Sequence, residues 1–338
     1  MSTAAPSCSD APIWTAWMAA FHAPTLAIAD ELGLFHALAD APATAAELAV
    51  VLGIEVRATE AIAGVMATLE FVTLADGRFG LTDVARTYLL PSSPYYWGGM
   101  LRRIRDNPLD CRKLIESLRR NSAAKDASLA AMWTRPAPPP EQLVAFTHAM
   151  HAHSFALAMR VVPSFPLAGV QRVLDVGGGS GSYSLAALLH TPALRCTLLD
   201  LPAVGEVARE YATQHGVAAR LDVVAANMFT EPLPTDHDRI LFSDIFHDWD
   251  DESCRLLAQR AFEALPSGGR LWLHEMLLDD TKAGPPVAAA YSMIMVFVTA
   301  GRQRSARELS DLVTSVGFNA PRITMTSGGY ALIEATRP

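Results

Sequence analysis

Residues 173–181 read Val-Leu-Asp-Val-Gly-Gly-Gly-Ser-Gly, and a second apolar run closes at Asp200. An apolar strand enters a glycine turn, a helical stretch follows, and the next strand ends in an acid. Glycine lets the backbone pass close beneath a bound group. An acid at the next strand end is placed to accept hydrogen bonds from ribose hydroxyls. The spacing predicts a nucleoside cofactor.

The dinucleotide fingerprint needs G-x-G-x-x-G, with its third glycine inside the helix. Here Gly177, Gly179 and Gly181 give G-x-G-x-G, and Ser182-Tyr183-Ser184 follow without another glycine. With Asp175 two residues before the first glycine, the segment resembles motif I of class I S-adenosylmethionine (SAM) methyltransferases. NAD binding and a ligand-free glycine turn are the alternatives.

The chain has 338 residues, 51% of them hydrophobic, enough for two domains and a large core. A net charge of −8 argues against nucleic acid as a partner. Cys8, Cys111, Cys196 and Cys254 are scattered, which predicts a reduced, cytoplasmic protein rather than a disulfide or zinc framework. Residues 1–10 show no signal-peptide pattern. The longest apolar run, Met293 to Ala300, is too short to span a membrane.

The first 90 residues predict helices and one hairpin. Trp14 to Leu38 has apolar residues at helical spacing, Thr44 and Glu47 form a capping-box pattern, and Thr59 to Leu69 keeps the helical period. Phe71–Leu74 and Phe79–Leu81 flank an Asp-Gly turn. Helices followed by a hairpin give a winged-helix pattern. Three arginines against ten acids leave this segment at −7, so a protein–protein role is favoured over DNA. Residues 101–125 are locally basic, read as the solvated face of connecting helices. Arg135 to Pro140 reads as a stiff linker, and Glu141 to Val162 as a long helix. The division expected is 1–100 as a winged-helix-like dimerisation domain, 101–165 as a helical linker and substrate lid, and 166–338 as the catalytic domain.

From Val170 onward, short apolar runs at 171–176, 195–200, 220–225, 239–243 and 269–275 alternate with helical stretches. Two further runs, 323–326 and 330–336, predict a closing antiparallel hairpin. The fold class is therefore α/β: a Rossmann-like seven-stranded sheet domain after a mostly α winged-helix domain. Ile240–Ser243 leads into Asp244-Ile245-Phe246-His247-Asp248-Trp249-Asp250-Asp251. His247 thus lies just past a strand end, where open α/β sheets bind ligands. Glu275 ends the next strand on the same rim. A histidine held by a carboxylate is an oriented general base.

F-H-D-W-D-D, the Leu-Pro-Ser-Gly-Gly-Arg turn at 265–270 and Glu275 together resemble the caffeic-acid-type O-methyltransferases, whose bacterial members act on phenolic secondary metabolites. The resemblance spans nearly the whole chain. It implies that Gly177, Gly179 and Gly181 pass under SAM, that Asp200 and Leu201 hold its ribose, and that Asn227 and Met228 flank its adenine. It also implies donor contacts at Ser243 and Ser154, with Trp249 either on the adenine or in the core. His247 would be the base and Glu275 its partner. The family's second glutamate is replaced by Gln303, and its usual carboxylate at 227 by an amide. The donor would be SAM, leaving as S-adenosyl-L-homocysteine, without a metal. The partners implied are a small aromatic substrate and a second copy of the chain through the N-terminal domain.

Phe146, Met150, Met293, Met295, Phe297 and Asp248 are candidate acceptor contacts, with Trp97 and Met100 closing the site. His148, His151 and His153 lack a carboxylate to complete a metal site. Methylation of a ring carbon ortho to a phenol uses the same base and is the runner-up. A SAM-binding regulator and an NAD-dependent reductase are more distant readings.

Overall fold

The computed structural model describes residues 7–120 and 139–338. Most of the proline-rich stretch from Arg135, together with Lys125, lies outside the described residues. The chain divides into two compact units, Met1–Leu109 and Asp110–Pro338.

The first unit carries helices α1 (Ala11–Ala19), α2 (His22–Glu31), α3 (Leu34–Ala37), α4 (Ala45–Leu52) and α5 (Val56–Thr68). Strands β1 (Val72–Ala75) and β2 (Arg78–Leu81) follow, then α6 (Asp83–Tyr88) and α7 (Gly98–Asp106). The helical run expected from Trp14 to Leu38 is three helices. Its last break is at Gly33, whose left-handed φ of 80° ends α2. Thr44 and Glu47 form a reciprocal capping box at the start of α4. β1 and β2 pair antiparallel, and Asp76 and Gly77 both take positive φ, as a type I′ turn requires. Leu34, Phe35, Leu38, Leu48 and Met66 are buried in this unit's core.

The second unit contains α8 (Cys111–Arg120), α9 (Pro140–Val161) and the main sheet. Of the residues expected as a helical linker over 101–165, α7 packs on α2 in the first unit, while α8 and α9 fall in the second. The strands are β3 (Arg172–Val176), β4 (Arg195–Asp200), β5 (Leu221–Ala225), β6 (Arg239–Ser243), β7 (Arg270–Met276), β8 (Arg322–Met325) and β9 (Tyr330–Thr336). Their order is β5-β4-β3-β6-β7-β9-β8. The first five run parallel; the inner four are largely buried, whereas the edge strand β5 is partly exposed. β9 is antiparallel to both β7 and β8. Helices α10 (Ser182–His190), α11 (Pro202–Gln214), α12 (Asp251–Ala264), α13 (Pro286–Val298) and α14 (Ala306–Ser315) fill the crossovers.

The chain steps from β3 out to β5, then returns to place β6 on the other side of β3. This reversal is a topological switch point, where the loops leaving the strands diverge and open a crevice. Asp175 pairs with Leu241, and Ser243 with His274. The glycine turn after β3, the loop after β6 and Glu275 of β7 therefore share one rim.

Candidate active site

The rim has two halves. In the first, Gly177, Gly179 and Gly181 take φ of 69°, 59° and 79°, a conformation that side chains strain to adopt. A Cβ at Gly177 would lie 2.6 Å from Ile245, and one at Gly178 would lie 2.8 Å from Asp175. A Cβ at Gly179 would instead enter open space. Asp200 fixes this loop: Oδ2 accepts from the Gly179 N–H at 2.8 Å, and Oδ1 from the Leu201 N–H at 2.7 Å. Asp175, buried beneath, accepts from the Ser184 hydroxyl at 2.7 Å. Burial pushes Asp175 up to about 6 and Asp200 up to about 7. From α9, His151 Nδ1 meets Ser180 Oγ at 2.9 Å and ties that helix to the loop.

In the second half, Phe246–Asp248 form one 3₁₀ turn that buries His247. Three contacts hold the turn. Glu275 Oε1 accepts from the backbone N–H groups of Ile245 and Phe246 at 3.0 and 2.7 Å. Arg304, only 3% exposed, donates to the carbonyls of Phe246 and Trp249 and to Asp251. Gly301 packs so close that a Cβ there would lie 2.1 Å from the His247 carbonyl oxygen.

The imidazole Nδ1 lies 3.2 Å from Glu275 Oε2 and 3.3 Å from Gln303 Nε2. It cannot donate to the first and accept from the second at once. The carboxylate is the stronger partner for an N–H, so Nδ1 keeps its hydrogen towards Glu275 and Nε2 is the nitrogen at which the ring gains or loses a proton. Nε2 faces Asp248 Oδ1 at 3.5 Å, and Asp244 Oδ1 lies 3.7 Å from Nδ1. Burial opposes charge on His247, but Glu275, Asp248 and Asp244 outweigh it and push the pKa up to about 10. Burial also raises Asp244 to about 7 and Asp248 to about 6. The Tyr291 ring stands edge-on to His247, with centroids 5.2 Å apart.

A family model described as an O-methyltransferase domain matches residues 114–319. The chain belongs to this O-methyltransferase family. It is a SAM-dependent methyltransferase. The 3-hydroxy-5-methyl-1-naphthoate 3-O-methyltransferase of Streptomyces sahachiroi is 35% identical over 307 residues, covering 88% of this chain and 86% of the relative. The mitomycin biosynthesis 6-O-methyltransferase of Streptomyces lavendulae is 27% identical over 351 residues, covering 99% and 97%. The structure of human N-acetylserotonin methyltransferase in complex with SAM superposes with a TM-score of 0.83 at 22% identity, covering 100% of this chain and 99% of that one.

The methyltransferase's glycine turn fits a SAM molecule: the open face of Gly179 would be filled by any side chain, and Asp200 is anchored beside it. Leu201 stands at the N-cap of α11. Asn227 turns its Oδ1 to the Phe229 N–H at 2.9 Å, so the amide braces its own loop. Met228 and Trp249 are buried in the core, with Trp249 edge-on to Phe229. Ser243 Oγ lies 3.4 Å from His274 Nδ1, and Ser154 Oγ lies 3.1 Å from His153 Nδ1.

Phe146 and Met150 are half-buried on α9. On α13 the three candidate residues do not share one face. Met293 is 42% exposed and Met295 3%, because residues two apart on a helix point roughly 200° apart. Phe297 is half-buried. These three cannot line one wall, and α13 offers Tyr291 to the base instead. Tyr291, Asp244 and Arg304 were missed by sequence reasoning. Asp244, next to Ser243, was within reach of the motif, and it takes a positive φ of 53° just past the strand end. Asp244, His247 and Glu275 have ligand atoms within 4.8 Å of one another. Among the described residues no helix is long and apolar enough to cross a membrane.

Proposed function

We propose that this enzyme methylates a ring hydroxyl of a small aromatic acceptor, with His247 taking the hydroxyl proton. The observation that carries the proposal is the buried imidazole with Nδ1 on Glu275 and Nε2 turned away from it, beside the Gly179 and Asp200 cradle. The relative from S. sahachiroi is named for a 3-O-methyl transfer to a hydroxynaphthoate, which supports a ring hydroxyl.

SAM supplies an electrophilic methyl group on a good leaving group, so the chain's task is to align the oxygen and remove its proton. Gly177, Gly179, Gly181, Asp200 and Leu201 would hold the donor. A phenol has a pKa near 10, and ionising it at pH 7 costs about 4 kcal/mol. An imidazole held near 10 matches that proton affinity in its neutral form, so the ring first gives its Nε2 proton to solvent and then takes the phenol's, and the share of productive base grows as pH rises towards 10. The Glu275 carboxylate then stabilises the imidazolium that forms, and the Arg304 staple fixes the ring's position.

We also assign dimerisation to the winged-helix-like first unit. Trp14, Trp17 and Phe21 stand exposed there, and α1 buries none of its residues. The test of the activity is the product. Incubating the full chain with SAM and a panel of phenols should give a singly methylated product whose methyl resonance is that of an aryl ether. A methyl group on ring carbon, or none transferred, overturns the proposal.

A further inference from the structure

His247 stands among more acceptor atoms than it can serve. Asp244 Oδ1 and Glu275 Oε2 face Nδ1 at 3.7 and 3.2 Å, and Asp248 Oδ1 faces Nε2 at 3.5 Å. Glu275 Oε2 has the His247 Nδ1 hydrogen as its one partner, whereas Asp244 Oδ1, Asp248 Oδ1 and buried Gln303 Oε1 receive no hydrogen bond. One imidazole offers at most two N–H groups, and Nε2 must be free to take a proton. The Tyr330 hydroxyl serves the other oxygen of Asp244, at 3.4 Å.

Neighbouring cations do not balance the group. Arg304 is spent on two carbonyls and Asp251, and Arg302 on Asp251 and Glu308. Three carboxylates thus face one imidazole in a buried site. Burial raises both Asp244 and Asp248, the nearby Glu275 carboxylate adds to that, and His247 opposes it, so the pocket is already costly for negative charge.

Building on the assignment of this site to an aromatic acceptor, we propose that it selects acceptors that carry neutral or cationic hydrogen-bond donors beside the reacting hydroxyl and rejects those carrying a carboxylate there. When the reacting oxygen meets His247 Nε2, a substituent on the next ring atom comes to Asp248 Oδ1. An amide or amine N–H there pairs an acceptor that has no partner. A carboxylate there brings a further acid against Asp244, Asp248 and Glu275 and leaves the Asp248 oxygen unpaired. Buried polar groups without partners are the strongest source of discrimination a site can have.

The pair that isolates this is 2-hydroxybenzamide and 2-hydroxybenzoate, equal in size and different in charge. Calorimetry on the full chain saturated with S-adenosylhomocysteine should show the amide binding at least about tenfold more tightly, the scale of one like-charge contact in a partly screened site. 2-Aminophenol should bind at least as well as the amide. Asp244→Asn, and independently Asp248→Asn, should each narrow the gap between amide and benzoate to less than about threefold, as removal of one anion predicts. Benzoate binding in the wild type as tightly as the amide, or neither compound binding, overturns the inference. Methyl transfer is scored in the same mixtures with SAM. A binding preference without transfer strikes the proposed function and leaves the inference standing.

Discussion

At the end of β3 the chain turns on left-handed glycines tied down by one carboxylate; at the end of β6 it is held by charged side chains from two other segments. The glycine turn has three left-handed glycines, and one of its N–H groups, that of Gly179, donates to Asp200, which also accepts from its neighbour Leu201. The His247 turn has no glycine of its own. It is pinned from outside by Glu275, Arg304 and Gly301, which come from β7 and the segment after α13. The first arrangement suits a cofactor that must be approached closely. The second suits a group whose proton affinity has to be set, because every clamp on the loop is also a charge or a neighbour of one.

This contrast can be broken from either side. The largest effect is expected at Gly179→Val. A β-branched residue at φ 59° is strained and fills the open face. Donor affinity should fall about 100-fold by calorimetry, while the unfolding midpoint moves only a few degrees; unchanged affinity would remove the turn from donor binding.

Next is Glu275→Gln. Losing the carboxylate should lower kcat/KM about 10- to 100-fold. It should also change the pH profile. In the wild type the base is productive only when unprotonated, and its pKa is raised to about 10. The rate therefore climbs with pH, about tenfold per unit between pH 7 and 9. Without Glu275 the imidazole loses its main source of positive shift, so the climb should level off at least about one unit lower. A wild-type profile already flat above pH 7 contradicts the raised pKa.

Arg304→Met sharpens the comparison by removing a clamp without touching the ring. Two carbonyls, of Phe246 and Trp249, lose their donor in a buried setting. Stability should fall by about 2–4 kcal/mol in urea unfolding. Turnover at saturating acceptor should drop while donor affinity holds. The smallest effect is expected at Asn227→Asp. Asn227 Oδ1 already serves the Phe229 N–H, and a carboxylate serves it equally well. Donor affinity should change less than about fivefold.

The sheet was readable because its strands are apolar, β-branched runs separated by glycine and proline, and their ends fell within about two residues of the sequence reading. The N-terminal helices were less so. A continuous apolar period hid the break at Gly33, since periodicity does not report where a helix stops. At the site, the neighbours of His247 that lie on the same rim carry short-range marks: an acid at a strand end, a glutamine in a glycine-led segment. Arg304 carries none. It acts over 50 residues of sequence, and a buried arginine reads like any surface one until its carbonyl partners are known. Met293 and Met295 were grouped by composition, and only the helix phase separates them.

The central claim is that donor binding and proton removal belong to different halves of the rim. Calorimetric affinity for S-adenosylhomocysteine and methyl-transfer rate, both measured on His247→Ala, test it most directly. Affinity within about threefold of wild type with a rate at least about 100-fold lower is the predicted result. Full transfer by that variant would contradict the account.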